Sequence, residues 1–152
     1  MPREIGIDEL RNFLDQTVEI TNRPECEEVM KNVLELTKEQ LYLGFQAESS
    51  PDGKRWPALK NPRRPPRNQN NKPLLDTYKL QKSVTEDAED HVEGVSNQGL
   101  TLGTYVEYAG VHQDGSTKKN IPQRKFLGFS EIVQELATDD VASSVIKQID
   151  NL

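Results

Sequence analysis

An apolar stripe near the start of the chain constrains the fold more than any other feature. Met30, Val33, Leu34, Thr37, Leu41 and Phe45 recur at spacings of mostly three and four residues. That period puts them on one face of a single helix of about six turns. Pro24 suits the first turn of this helix, and Glu25, Glu27 and Glu28 sit well near its positive end. A helix of this length forms the backbone of a small domain. The stripe reads as core, not as a cofactor face, and Cys26 on it reads as a small buried residue, not a nucleophile. Upstream, residues 7–21 predict a shorter amphipathic helix with Asp8 as N-cap and Leu10, Phe13, Leu14 and Val18 at helical spacing. The group Thr21-Asn22-Arg23-Pro24 ends it.

Residues 48–73 change character. They hold six of the nine prolines and show no strand-like alternation. Ser50-Pro51-Asp52-Gly53 is a turn signal. Trp56 and Leu59 are the large apolar groups before Leu74. Lys54, Arg55, Lys60, Arg63, Arg64, Arg67 and Lys72 give seven positive charges with no acid between them. So little apolar surface does not offset the entropy of ordering the segment. A long loop of this kind is a solvated loop, an arm that orders against a partner subunit, or a nucleic-acid contact. Lys54, Arg55, Trp56, Arg63, Arg64 and Arg67 are the candidate partner-binding residues, with Trp56 as anchor.

From Leu74 to Ser83 a short helical turn is expected, with Asp76 as cap and Leu75, Tyr78 and Leu80 facing inward. Three strand-like pieces follow, Ser83 to Ala88, His91 to Ser96 and Leu100 to Tyr105, with a hairpin turn at Asn97-Gln98-Gly99. Residues 106–113 predict one or two helical turns across the sheet, with Gly103 and Gly110 permitting close backbone approach. Asp114-Gly115 predicts a tight reversal, and Phe126, Leu127 and Phe129 predict a return to the core. The tail predicts helix from Ser130, with a second start at Thr138 and a stripe of Val141, Val145, Ile146 and Ile149. The order gives an α+β fold of two layers: N-terminal helices including one long helix, a small antiparallel β-meander, and a C-terminal helix.

No catalytic, cofactor or metal site emerges. Neither histidine, His91 or His112, pairs with Cys26 at metal-ligand spacing, and no glycine-rich phosphate loop is present. His112 reads as a hydrogen-bond partner of the Asp114-Gly115 turn, with general base as the competing role. The acids Glu86, Asp87, Glu89, Asp90 and Glu93 lack calcium-loop spacing and read as a charged hairpin edge. A chain of 152 residues suits one domain, 1–152, with a modest core. At 34% hydrophobic and 29% charged it is polar enough to reserve surface for loops or oligomer contacts. A net charge of −6 argues against a general nucleic-acid binder. One cysteine excludes an intrachain disulfide and fits a reducing compartment. No apolar run approaches the ~20 residues that span a bilayer, so no membrane partner is expected. The opening MPREIGIDEL lacks the pattern of a secretory signal.

Three motifs, in order, carry a resemblance. They are Ser50-Pro51-Asp52-Gly53-Lys54-Arg55-Trp56-Pro57, then Lys72-Pro73-Leu74-Leu75-Asp76-Thr77 with Leu80 and Ser83, then Tyr108-Ala109, His112-Gln113, Gly115 and Ile121-Pro122-x-Arg124-x-Phe126-Leu127-Gly128-x-Ser130. Together they resemble the phage virion morphogenesis, or tail completion, family over roughly residues 8–150. Asp114 and Lys125 depart from the residues usual there. The resemblance implies a non-enzymatic structural protein acting at tail completion or head-tail joining, in the virion neck or tail end after assembly in the host cytoplasm. It implies a ring of copies, with a hexamer as one such size, against tail-tube or head-tail connector proteins, with DNA in the channel as a further contact. The alternative is a nucleic-acid-binding module using residues 54–72, marked by salt-dependent DNA binding.

Overall fold

The structure is a computed structural model, and it describes residues 24–96 and 99–150. The helix expected over 7–21, the turn residues 97–98 and the side chain of Cys26 lie outside the described residues.

Helix α1 runs Pro24–Ala47 and starts at the expected proline. Its stripe is the floor of the core: Val33, Leu34, Thr37, Leu41 and Phe45 are all buried, Phe45 completely. Thr37 is accommodated because its hydroxyl donates to the Val33 carbonyl at 2.7 Å. The helix ends as Glu48 takes a positive φ and Ser49 N–H returns to the Gly44 carbonyl. A tight turn follows as expected, with Ser50 N–H to the Lys54 carbonyl at 2.8 Å and Gly53 at φ 87°. This turn delivers Trp56 onto Phe45, edge to face, with ring centroids 5.4 Å apart.

Helix α2 is Lys79–Thr85. It replaces the first expected strand. Leu80 and Val84 are one turn apart and both buried, so the helical period outweighs the strand preference of Val84-Thr85. Asp76 is not its cap; Tyr78, at φ 62°, precedes the helix without a side-chain cap bond. The sheet therefore has two strands and not three: β1, His91–Ser96, and β2, Gly99–Thr104, paired antiparallel from His91↔Thr104 to Ser96↔Gly99. Polar bonds hold this half-exposed hairpin down. Ser83 sits at their centre, its carbonyl 2.8 Å from His91 Nδ1 and its hydroxyl accepting from Thr104 Oγ1 at 2.8 Å. The hairpin acids are dispersed rather than clustered: Asp90 pairs with Lys79 at 3.0 Å, and Glu93 faces Lys38. A Cβ on Gly103 would make only ordinary contact and one on Gly110 none, so neither glycine serves a close backbone approach.

Helix α3, Ala109–Asp114, ends at Gly115. Gly115 has φ 75°, and a Cβ there would come within 2.8 Å of Gln123 N, so glycine is required twice over. The chain then makes a short paired loop, with Ser116 and Ile121 exchanging both backbone bonds at 2.8 Å. Helix α4, Glu131–Asp150, is continuous. Ser130 caps it by accepting from Val133 N–H at 3.2 Å. Thr138 is not a second start; it lies mid-helix and its hydroxyl donates to the Gln134 carbonyl. Helix α4 packs along α1 and buries Val133. Of its expected stripe, Ile146 is exposed, and the side chains of Val141, Val145 and Ile149 lie outside the described set. Helices around a small antiparallel sheet make this an α+β fold.

Candidate functional site

The basic proline-rich segment is bonded to its own subunit. The ordering comes from polar side chains turning back onto backbone, not from apolar burial. Asn68 Oδ1 accepts from Asn70 N–H, and Asn70 Oδ1 from Lys72 N–H, each at 3.0 Å. These are the local side-chain turns that asparagine favours. The Asn70 amide also donates to the Leu75 carbonyl at 2.9 Å and Tyr78 Oη at 3.0 Å. Arg63 is drawn in beside them, donating to Asn70 Oδ1 at 2.9 Å and the Lys72 carbonyl at 2.7 Å. Asp76 accepts from Asn68 N–H at 2.9 Å and stands 3.9 Å from both Arg63 Nε and Arg67 Nε.

The other edge of the segment is held from the far side of the sequence. Arg124, only 5% exposed, donates from Nε to the Pro57 carbonyl at 2.7 Å and from Nη2 to the Ala58 carbonyl at 3.0 Å. Trp56 Nε1 donates to the Lys125 carbonyl at 2.8 Å. Gln113, near the end of α3, fixes the extended segment that carries these groups: its Oε1 accepts from Phe126 and Leu127 N–H, and its Nε2 donates to the Leu127 carbonyl. Phe126 is thereby set in the core and Leu127 against its edge, while Phe129 is half exposed and not part of the core.

These elements enclose an open cleft of about 860 Å³. Its charged lining is Arg63, Arg64, Arg67, Lys79 and Arg124 against one carboxylate, Asp76. Leu59, Leu74, Leu80 and Tyr108 supply apolar wall. Arg64 is exposed, and its side chain has no hydrogen-bond or ionic partner among the described residues. Burial, and then the neighbouring Arg63, disfavour the charge on Arg124 relative to an ordinary guanidinium. A site with this balance of charge suits an anionic group.

The six residues singled out in the sequence are thus divided. Arg63, Arg64 and Arg67 line the cleft. Lys54, Arg55 and Trp56 lie around a separate shallow depression with Ser50, Asp52, Pro57, Gln123 and Lys125. Trp56 is 5% exposed and packed into the core, so it anchors its own subunit. Arg63 is likewise held by internal bonds. Arg124 and Gln113 stand inside the motifs and Asp76 was expected as a helix cap, but no spacing shows that these side chains turn back onto the basic segment or the 124–127 run.

Part of the cleft wall and most of its supports lie within the three motifs: Leu74, Asp76, Leu80, Tyr108, His112 and Arg124 in the wall, and Trp56, Pro57, Gln113 and Phe126 behind it. A model of the phage virion morphogenesis family matches residues 6–145. The chain belongs to this family. No curated protein and no solved structure matches it significantly. Membership in the virion morphogenesis family makes this a protein of phage structure and assembly. No described helix is long and apolar enough to cross a membrane.

The family's His-Gln pair is divided in role. Gln113 is the clamp described above. His112 makes no side-chain bond to the Asp114-Gly115 turn. Its Nδ1 is buried without a partner, its ring stands edge-on to Tyr108 at 5.9 Å, and its carbonyl accepts from Arg124 N–H. Burial, and then Arg124, hold the imidazole below its ordinary value of 6.5. Below 6.5 the unfolded chain therefore binds more protons than the folded one, and stability falls as pH drops through that value. His112→Gln is expected to remove this share of the acid sensitivity. Urea midpoints compared between about pH 8 and pH 5 should fall less in the variant than in the parent. Equal falls would show that His112 does not titrate differently on unfolding.

Proposed function

We propose that the chain is a non-enzymatic structural component acting at tail completion or head-tail joining, assembled as a ring of identical copies. The observation that carries this reading is the apolar surface left open along α1 and α4. Leu43, Phe129, Ile132 and Leu136 are 50%, 49%, 56% and 44% exposed. Leu43 and Ile132 border one depression with Leu41, Pro51 and Phe126. Surface of that kind marks a protein contact. The nucleic-acid reading of residues 54–72 has less support, because Arg63, with Arg124 beside it, directs its donors to backbone carbonyls and an asparagine rather than outward.

Complementation tests the reading. A phage deprived of this chain should accumulate heads and tails that do not join, or tails of irregular length, by electron microscopy. Supplying the chain should restore infectious particles. Normal particles in its absence would overturn the proposal.

A further inference from the structure

The cleft and the exposed face of α4 are complementary, and they lie on different parts of the molecule. Outside residues 54–72 the chain carries 25 acidic and 12 basic side chains, a balance of −13, against +7 within that segment. On α4, Glu131, Glu135 and Asp139 fall at successive four-residue steps and are exposed, with Ile132 and Leu136 on the adjoining row. None of these three acids has an ionic partner among the described residues. The cleft offers the converse arrangement. Arg64 is unpaired, Arg67 is 72% exposed with its nearest carboxylate at 3.9 Å, and an apolar wall lies beside them. Helix α4 lines none of the cleft; it borders the depression of Leu43 and Pro51 instead.

We propose that α4 of a second copy seats Glu131, Ile132, Glu135 and Leu136 in the cleft, against Arg64 and Arg67. The inference rests on the ring reading above and names its contact. Two different surfaces meet, so the contact is head to tail. Such a contact repeats from copy to copy and closes into a ring where the rotation allows. The charges set register and speed encounter, and the apolar row supplies the desolvated centre. The cleft is concave and partly apolar, which fits an amphipathic helix face better than a sugar–phosphate backbone.

The test is light scattering on the full chain after size exclusion. The parent should run at several times 17.3 kDa. The double variant Arg64→Glu with Arg67→Glu should fall to the mass of one copy. So should Glu131→Arg with Glu135→Arg. Mixing the two variants should restore the oligomer, because in an alternating arrangement every cleft then faces a helix of opposite charge. Restoration also shows that both variants are folded. A parent that runs as a single copy, a mass unchanged by either double variant, or a mixture that stays dissociated would each overturn the contact. Loss of duplex DNA binding in the cleft variant, with its mass unchanged, would reassign the cleft to nucleic acid. Complementation is read separately: if particles need the chain yet mass ignores the charge reversals, this contact falls and the virion role stands.

Discussion

Trp56→Ala should lower stability by about 3–5 kcal/mol, the range for truncating a large buried aromatic. Trp56 is 5% exposed, meets Phe45 edge to face, and shares that ring with Phe126, whose centroid lies 6.0 Å from Phe45. The side chains around it cannot close the gap, since Phe45 is fixed on α1 and Phe126 is fixed by Gln113. The indole also donates to the Lys125 carbonyl, so alanine leaves that acceptor unpaired as well. Trp56→Phe keeps most of the packing and should cost less, mainly the hydrogen bond. Urea unfolding followed by far-ultraviolet circular dichroism gives both values; Trp56 is the only tryptophan, so fluorescence would lose its probe. A loss under about 1 kcal/mol for alanine would mean that Trp56 is not a core residue.

Arg124→Ala should be comparably damaging, at roughly 3–6 kcal/mol, from two hydrogen bonds with a charged donor worth about 1.5–3 kcal/mol each. The guanidinium reaches the carbonyls of Pro57 and Ala58 from 67 and 66 positions away. With it removed, those carbonyls lose their donor and the segment from Pro57 to Arg67 loses its inner attachment. Arg124→Met keeps the apolar stem but not the donors, and should recover little. The local consequence is separable from the global one. Under native conditions trypsin should cut after Arg63 and Arg67 much faster in Arg124→Ala than in the parent. Equal cleavage rates together with an unchanged urea midpoint would show that Arg124 does not hold the segment.

Much of the scaffold was legible because it rests on period and punctuation. The α1 stripe, the start at Pro24, the pairing of β1 with β2 and the turn at Gly115 each follow from residue spacing or a φ requirement. The family was legible from the three motifs in order. The first strand was misread because Val84 and Thr85 favour a strand locally, while burial of Leu80 and Val84 on one helical face decides the outcome. The basic segment was misread for a different reason. Counting apolar residues measures one source of ordering, and here the source is asparagine amides, Asp76 and a distant arginine. Such bonds depend on which carbonyls come near, and that is set by tertiary structure. The cleft was half visible: its three arginines were singled out, and its wall from α2 and α3 was not.

The bonds from Trp56 to Lys125, Arg124 to Pro57 and Lys60 to Asn120 span 69, 67 and 60 positions. During synthesis α1, α2 and the hairpin are all made before any of these three partners leaves the ribosome. Closing a loop that long costs entropy that local contacts do not repay. Trp56 therefore stays without its indole acceptor, and the edge at Pro57 without its donor, until the chain beyond Phe126 has emerged. The cleft forms only after α1, α2 and the hairpin, and a nascent chain halted short of Arg124 presents no such surface to another copy.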